Sequence, residues 1–85
     1  IEREISSAGS LTPQDLQVIS QKSCAILNNM GSSIRWLESY VTDNKVYCLY
    51  IAPDEAAIRM HAKQGEFPVT RVAQIRSVID PTTAE

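Results

Sequence analysis

The chain has 85 residues, the size of one domain, and 44% of them are hydrophobic, an ordinary share for a folded globule. Its net charge of −2 is spread over interspersed acids and bases, without a basic stripe, so we expect no nucleic-acid partner. No apolar run approaches the roughly 20 residues that span a bilayer, and no signal peptide is visible. Cys24 and Cys48 lack the spacing of a disulfide framework, which predicts reduced thiols in a cytoplasmic protein.

The first predicted element is a strand at residues 1–5, where apolar and charged side chains alternate. Glu2 and Glu4 would share one face of this strand. Arg3 would then point towards the helix layer, where a charged side chain needs a partner. Residues 6–10 read as a loop.

A helix follows, and its start is marked by Thr12 as N-cap, Pro13 at the first helical position and Asp15 as a short capping box. Gly31 is the predicted stop, because glycine tolerates the left-handed backbone that ends helices. Between them a buried stripe recurs at helical spacing. It contains Leu16, Ile19, Ser23, Ile26, Leu27 and Met30.

Two strands at residues 36–42 and 46–53 form a predicted hairpin with its turn around Asp43-Asn44. The loop length decides which side chains share a face. A two-residue loop would group Trp36, Glu38, Tyr40 and Tyr47. A three-residue loop, which we prefer, would group Trp36, Glu38, Tyr40, Cys48 and Tyr50. That register leaves a more apolar face to pack under helices, with Leu37, Val41, Tyr47, Leu49 and Ile51.

A shorter second helix is predicted to open at Pro53-Asp54-Glu55 and to end at Gly65, with Ile58, His61 and Ala62 on its inward side. Residues 72–79 read as a last strand and residues 80–85 as a tail. The order β-α-β-β-α-β predicts a single ferredoxin-like α+β domain over residues 1–85. Both helices would cover one face of a four-stranded antiparallel sheet, and the bare aromatic face would pair with a second copy.

Four residues are candidates for metal or acid–base chemistry. His61 is the only histidine, and its ordinary pKa lies near neutrality, but it could equally be a hydrogen-bonded histidine at a helix–sheet boundary. Glu38 could bind a metal or act as a base, or form a salt bridge, for example with Arg76. Glu2 could add an oxygen ligand or simply be solvated. Cys48 could ligate a metal as thiolate or pack as a small hydrophobe.

The aromatic residues Trp36, Tyr40, Tyr47 and Tyr50 could line a pocket or anchor a dimer interface. No nucleophile–base–orienter triad is recognisable, and the sequence lacks the G-x-G-x-x-G, Walker and H-E-x-x-H motifs. We therefore lean towards a protein that is not an enzyme.

Several segments together resemble a known family. They are the E-R-E near the start, W-L-E-S-Y-V-T-D-N-K-V-Y-C-L-Y-I-A-P-D-E, I-R-M-H-A-K-Q-G, F-P-V-T-R-V and I-D-P-T-T-A-E. They resemble the nickel-binding ferredoxin-like family of small bacterial proteins, formerly a family of unknown function. The resemblance implies a ferredoxin-like fold, a homodimer of the dimeric α/β-barrel type and a cytoplasmic protein. It carries Trp36, Glu38, Tyr40, Cys48 and His61 over as the pocket set.

The first hypothesis is a homodimeric protein that binds Ni²⁺ or another divalent first-row metal through Glu38, His61, Cys48 and Glu2. The second is a small-molecule pocket between subunits, binding or catalytic, as in isomerases, cyclases and oxygenases of the dimeric α/β-barrel type. The third is an interaction module whose aromatic face only dimerises.

Overall fold

A computed structural model describes residues 1–31 and 33–85 of the chain. Three strands and two α-helices make up its regular structure, together with two short 3₁₀ turns. They are β1 (Glu2–Glu4), α1 (Pro13–Met30), β2 (Arg35–Val41), β3 (Lys45–Ile51) and α2 (Glu55–Gly65), with the turns at Ala8–Ser10 and Pro81–Ala84. The predicted α+β class is confirmed.

The helix ends lie where the sequence predicts them. At the start of α1, the Thr12 hydroxyl accepts a hydrogen bond from the Asp15 amide at 3.1 Å, and the Asp15 carboxylate accepts one from the Thr12 amide at 3.0 Å. This reciprocal pair satisfies two amides that have no partner inside the helix. Gly31 follows the last turn with a φ of 88°, in the region that favours glycine.

Helix α2 begins and ends by the same kind of local signals. Asp54 caps its N-terminus by accepting from the Ala57 amide at 2.9 Å. Gly65 is its last residue, and Glu66 takes the left-handed conformation that terminates it. His61 and Ala62 are buried on its inward side, as predicted.

The sheet is antiparallel with the order β1-β3-β2, so β3 is the central strand. Glu2 lies opposite Tyr47 and Arg3 lies opposite Val46. The face of the sheet that carries Arg3, Val46, Cys48 and Tyr50 lies under the helices, because α1 residues line the same cavity and the His61 ring of α2 contacts Tyr50. The opposite face is open.

The hairpin turn is one residue shorter than the preferred register requires. Val41 lies opposite Val46, and the Thr42 amide donates to the Lys45 carbonyl at 2.8 Å, which closes a two-residue turn at Asp43-Asn44. The Thr42 hydroxyl also accepts from the Lys45 amide at 3.0 Å and so holds this turn. The preference for a three-residue loop was therefore wrong.

A β-bulge between Trp36 and Glu38 also changes which side chains of β2 share a face of the sheet. An extra residue on one strand reverses the in–out alternation beyond it. Trp36 consequently pairs with Tyr50 on the covered face, whereas Glu38 pairs with Leu49 on the open face.

The three-residue grouping is therefore wrong, and the two-residue grouping is correct for Glu38, Tyr40 and Tyr47 but not for Trp36. On the covered face Trp36 lies with Ser39, Val41, Val46, Cys48 and Tyr50; on the open face Glu38 lies with Tyr40, Tyr47 and Leu49. The apolar set expected under the helices was wrong for Tyr47 and Leu49, which face the open side, and correct for Val41, which lines the covered cavity.

The expected fourth strand is not formed in the described chain. One bridge, between Glu2 and Arg71, starts the pairing, and the Thr70 amide donates to the Glu2 carbonyl at 2.9 Å. Among the described residues, the pairing with β1 does not continue beyond this bridge. Residues 72–80 have no regular secondary structure, and Val78 is 80% exposed.

Within residues 1–31 and 33–85, no helix is both long and apolar enough to cross a membrane.

Candidate functional site

A cavity of about 260 Å³ lies between α1 and the covered face of the sheet. Most of its wall is apolar, and three of the predicted pocket residues, Trp36, Cys48 and Tyr50, contribute to it. The Trp36 indole is held by a hydrogen bond from Nε1 to Ser39 Oγ at 2.9 Å. The other lining side chains include Ile5, Leu11, Leu16, Ile19, Val41 and Val46. The predicted aromatic pocket therefore has a counterpart inside one subunit.

The polar part of this cavity is built around Arg3, which is only 3% exposed. Its Nη1 donates to the Pro68 carbonyl at 2.6 Å, and its Nη2 lies 3.4 Å from Tyr50 Oη. The guanidinium also lies over the Phe67 ring, 5.3 Å from the centroid. The prediction that Arg3 points into the helix layer is confirmed, but the groups it meets there are neutral.

His61 lies next to this cluster and is fully buried. Its Nε2 is 3.2 Å from Ser23 Oγ, and its ring packs edge-on against Tyr50 with centroids 5.4 Å apart. Burial, and secondarily the charge of Arg3, lower the pKa of His61 below its ordinary value of 6.5, so the ring is neutral at neutral pH. This is the hydrogen-bonded histidine at a helix–sheet boundary that the sequence left as one alternative.

The two sides of the His61 ring differ in their surroundings. Nε2 has Ser23, whereas Nδ1 is buried and has no hydrogen-bond partner among the described residues. Burial also raises the pKa of the neighbouring Tyr50 phenol, whose hydroxyl therefore keeps its proton. Arg3, Ser23, Tyr50 and His61 thus form one buried polar cluster.

The open face carries the other candidates. The Tyr40 hydroxyl donates a hydrogen bond to the Glu38 carboxylate, which raises the pKa of Tyr40 above its ordinary value. Glu2 lies across the sheet from Tyr47 and forms a 3.6 Å ion pair with Lys45. Glu38 lies in no ion pair among the described residues, so the expected partner Arg76 does not pair with it.

The four predicted metal ligands lie on two sides of the sheet. His61 and Cys48 belong to the covered side, whereas Glu2 and Glu38 belong to the open side. In the part of the chain that the structure describes, no group of three or more His, Cys, Asp and Glu side chains could hold one ion. The structure therefore does not bring these four residues together, and the ligand set stays a prediction.

Similarity to known proteins supplies a separate line of evidence. Residues 1–75 match the family described as nickel responsive protein SCO4226-like. The chain belongs to this family. No curated protein and no solved structure shows significant similarity to it. The resemblance drawn from the sequence motifs is confirmed, and the match covers the whole sheet and both α-helices.

Two residues of the covered site were not among the predicted site residues, and each had a signal in the sequence. The alternation of residues 1–5 directs the charge of Arg3 into the helix layer, which is its signal. Ser23 is a polar residue within the apolar stripe of α1, and such an interruption often marks a hydrogen bond to another element.

Proposed function

We propose that the protein is a small nickel-binding protein that acts as a homodimer in the cytoplasm. The observation that carries the proposal is membership of a family described as nickel responsive, which matches residues 1–75. The family description gives a response to nickel, and direct binding of the ion by this chain is part of the proposal. The free thiols of Cys24 and Cys48 support a reducing compartment.

The dimer would form through the open face of the sheet. Exposed apolar and aromatic side chains are grouped on and beside this face, with Leu37 53%, Tyr40 52% and Tyr47 37% exposed. Such groups are enriched at subunit interfaces, and an open sheet face bearing them favours a partner. We further propose that residues 72–79 form the fourth strand of a ferredoxin-like sheet in this dimer.

A nickel site would then be shared between the subunits. Two-fold symmetry brings the same patch of both copies together, so Glu38 and Glu2 would each be present twice. Four carboxylates near one axis are a ligand set that one subunit lacks. Oxygen ligands alone suit Ni²⁺ less well than imidazole does, so we expect modest affinity.

Calorimetric titration of metal-free protein with Ni²⁺ tests this proposal, with the oligomeric state measured by light scattering on the same samples. We expect saturable binding to a dimer and at least about tenfold weaker binding for Glu38→Gln. Glu55→Gln is the matched control, because Glu55 is an exposed carboxylate on α2 that pairs with Arg59 instead.

The outcomes separate the alternatives. Nickel binding that is lost in His61→Ala and kept in Glu38→Gln would move the site to the covered side of the sheet. Nickel binding by a monomer would refute a site shared between two subunits. A dimer without nickel affinity would refute nickel binding and leave the aromatic face as an interaction surface.

A further inference from the structure

Arg3 carries a buried positive charge that no carboxylate balances. It is 3% exposed, and no acidic side chain among the described residues lies within ion-pair distance of its guanidinium. Its observed partners, the Pro68 carbonyl, the Tyr50 hydroxyl and the Phe67 ring, are all neutral. Charges removed from water are normally paired, because their desolvation is otherwise uncompensated.

Arg3 also lines the cavity beneath α1 and is the only charged residue among the described residues that do so. An arginine has five N–H donors, and two of them are used on Pro68 and Tyr50, which leaves three. The Tyr50 hydroxyl accepts from Arg3 and so keeps its own proton for another acceptor. We propose that this cavity binds a small organic carboxylate, with its anionic group on Arg3 and its apolar body against Trp36.

A carboxylate fits the donors better than a phosphate does. A planar guanidinium pairs with a carboxylate through two parallel hydrogen bonds and matches its single charge. A phosphate monoester carries close to two charges at neutral pH, and the described lining residues supply one cation to balance them.

The size and surface of the cavity indicate the body of the ligand. Its volume of about 260 Å³ lies just below the roughly 300–1,000 Å³ of pockets for drug-sized molecules. Its wall combines aliphatic side chains such as Leu16 and Ile19 with the aromatic rings of Trp36 and Phe67. A carboxylate with one aromatic ring fits this description.

The tryptophan of the wall provides the assay, since Trp36 is the only tryptophan in the chain. Chelator-treated protein is titrated with benzoate and, separately, with benzamide, which has the same ring without the charge. We expect a saturable change in Trp36 fluorescence with benzoate and at least about tenfold weaker binding of benzamide, a factor that corresponds to one good charged hydrogen bond. Equal affinities, or no saturable change with benzoate, would overturn the proposal.

Two arginine variants test the role of Arg3. Arg3→Gln should bind benzoate and benzamide equally weakly, whereas Arg59→Gln, which removes an exposed arginine of α2, should keep the wild-type preference. Circular dichroism checks that both variants are folded. If Arg3→Gln does not fold, Arg3→Lys takes its place and should retain a preference for benzoate, since it keeps the charge. A folded Arg3→Gln that still prefers benzoate refutes the pairing.

The location is tested independently by amide and indole NMR shifts. Benzoate should shift the Trp36 indole N–H and the amide of Ser23, which both lie at the cavity. Shifts confined to Glu38 and Tyr40 on the open face would place binding elsewhere and overturn the proposal.

Discussion

Lowering the pH should destabilise the protein through the one histidine of the chain. Burial, and secondarily the charge of Arg3, lower the pKa of His61 in the folded state below 6.5. The unfolded chain therefore takes up this proton at a higher pH than the folded protein does. Where the unfolded state binds more protons, stability rises with pH. The contribution of His61 is thus complete above pH 6.5 and is lost as the pH falls towards the folded pKa.

The loss of stability on acidification is limited because His61 contributes only one proton. Each pH unit over which a single group is protonated only in the unfolded state costs about 1.4 kcal/mol. Between pH 7.5 and 5.5 we therefore expect a loss of up to about 1.4 kcal/mol in the free energy of unfolding. For a domain of this size that corresponds to a fall in Tm of roughly 6–11 °C.

Urea unfolding followed by Trp36 fluorescence measures this slope, with His61→Gln as the control. Glutamine keeps a hydrogen-bonding group near Ser23 and does not titrate. A His61→Gln slope equal to that of the wild type would refute the assignment, as would a wild type that becomes more stable on acidification.

Two predictions concern the helix ends. Thr12→Ala should lower the free energy of unfolding by about 1 kcal/mol, because the Asp15 amide loses its acceptor, and Thr12→Ser should restore it in the same urea assay. Gly65→Ala should cost about 1–3 kcal/mol, because the added Cβ would overlap the Phe67 ring and come within 2.9 Å of Ile26 Cδ1. Phe67→Leu in the same chain should recover part of that loss; a Gly65→Ala protein as stable as wild type would contradict the packing.

Helix limits could be predicted because they depend on neighbouring residues. The Thr12–Asp15 capping box, Gly31 and the Asp54 cap act within one turn of the backbone, and all lie where the sequence places them. The family could also be recognised, because its motifs are short continuous segments, and the match over residues 1–75 confirms it.

The faces of the hairpin could not be predicted from alternation alone. One bulge between Trp36 and Glu38 and one residue of turn length each reverse the side of the sheet on which a side chain lies. The bulge and the turn length both depend on how β2 pairs with β3, and the sequence of β2 alone does not indicate that pairing. The last strand also depends on pairing with a distant segment: residues 72–79 have strand-like composition, but the described pairing with β1 stops at the bridge between Glu2 and Arg71.

The bulge also separates the two proposed activities. Trp36 and Glu38 are two positions apart in sequence, yet one lines the covered cavity and the other lies on the open face. A carboxylate bound at Arg3 and a nickel ion held by Glu38 would therefore share no ligand. It follows that Arg3→Gln should spare nickel binding, and Glu38→Gln should spare benzoate binding. If either variant abolished both nickel and benzoate binding, the two faces would be coupled through the β2–β3 pairs. Bound nickel would then have to change the affinity for benzoate by the same factor as bound benzoate changes the affinity for nickel.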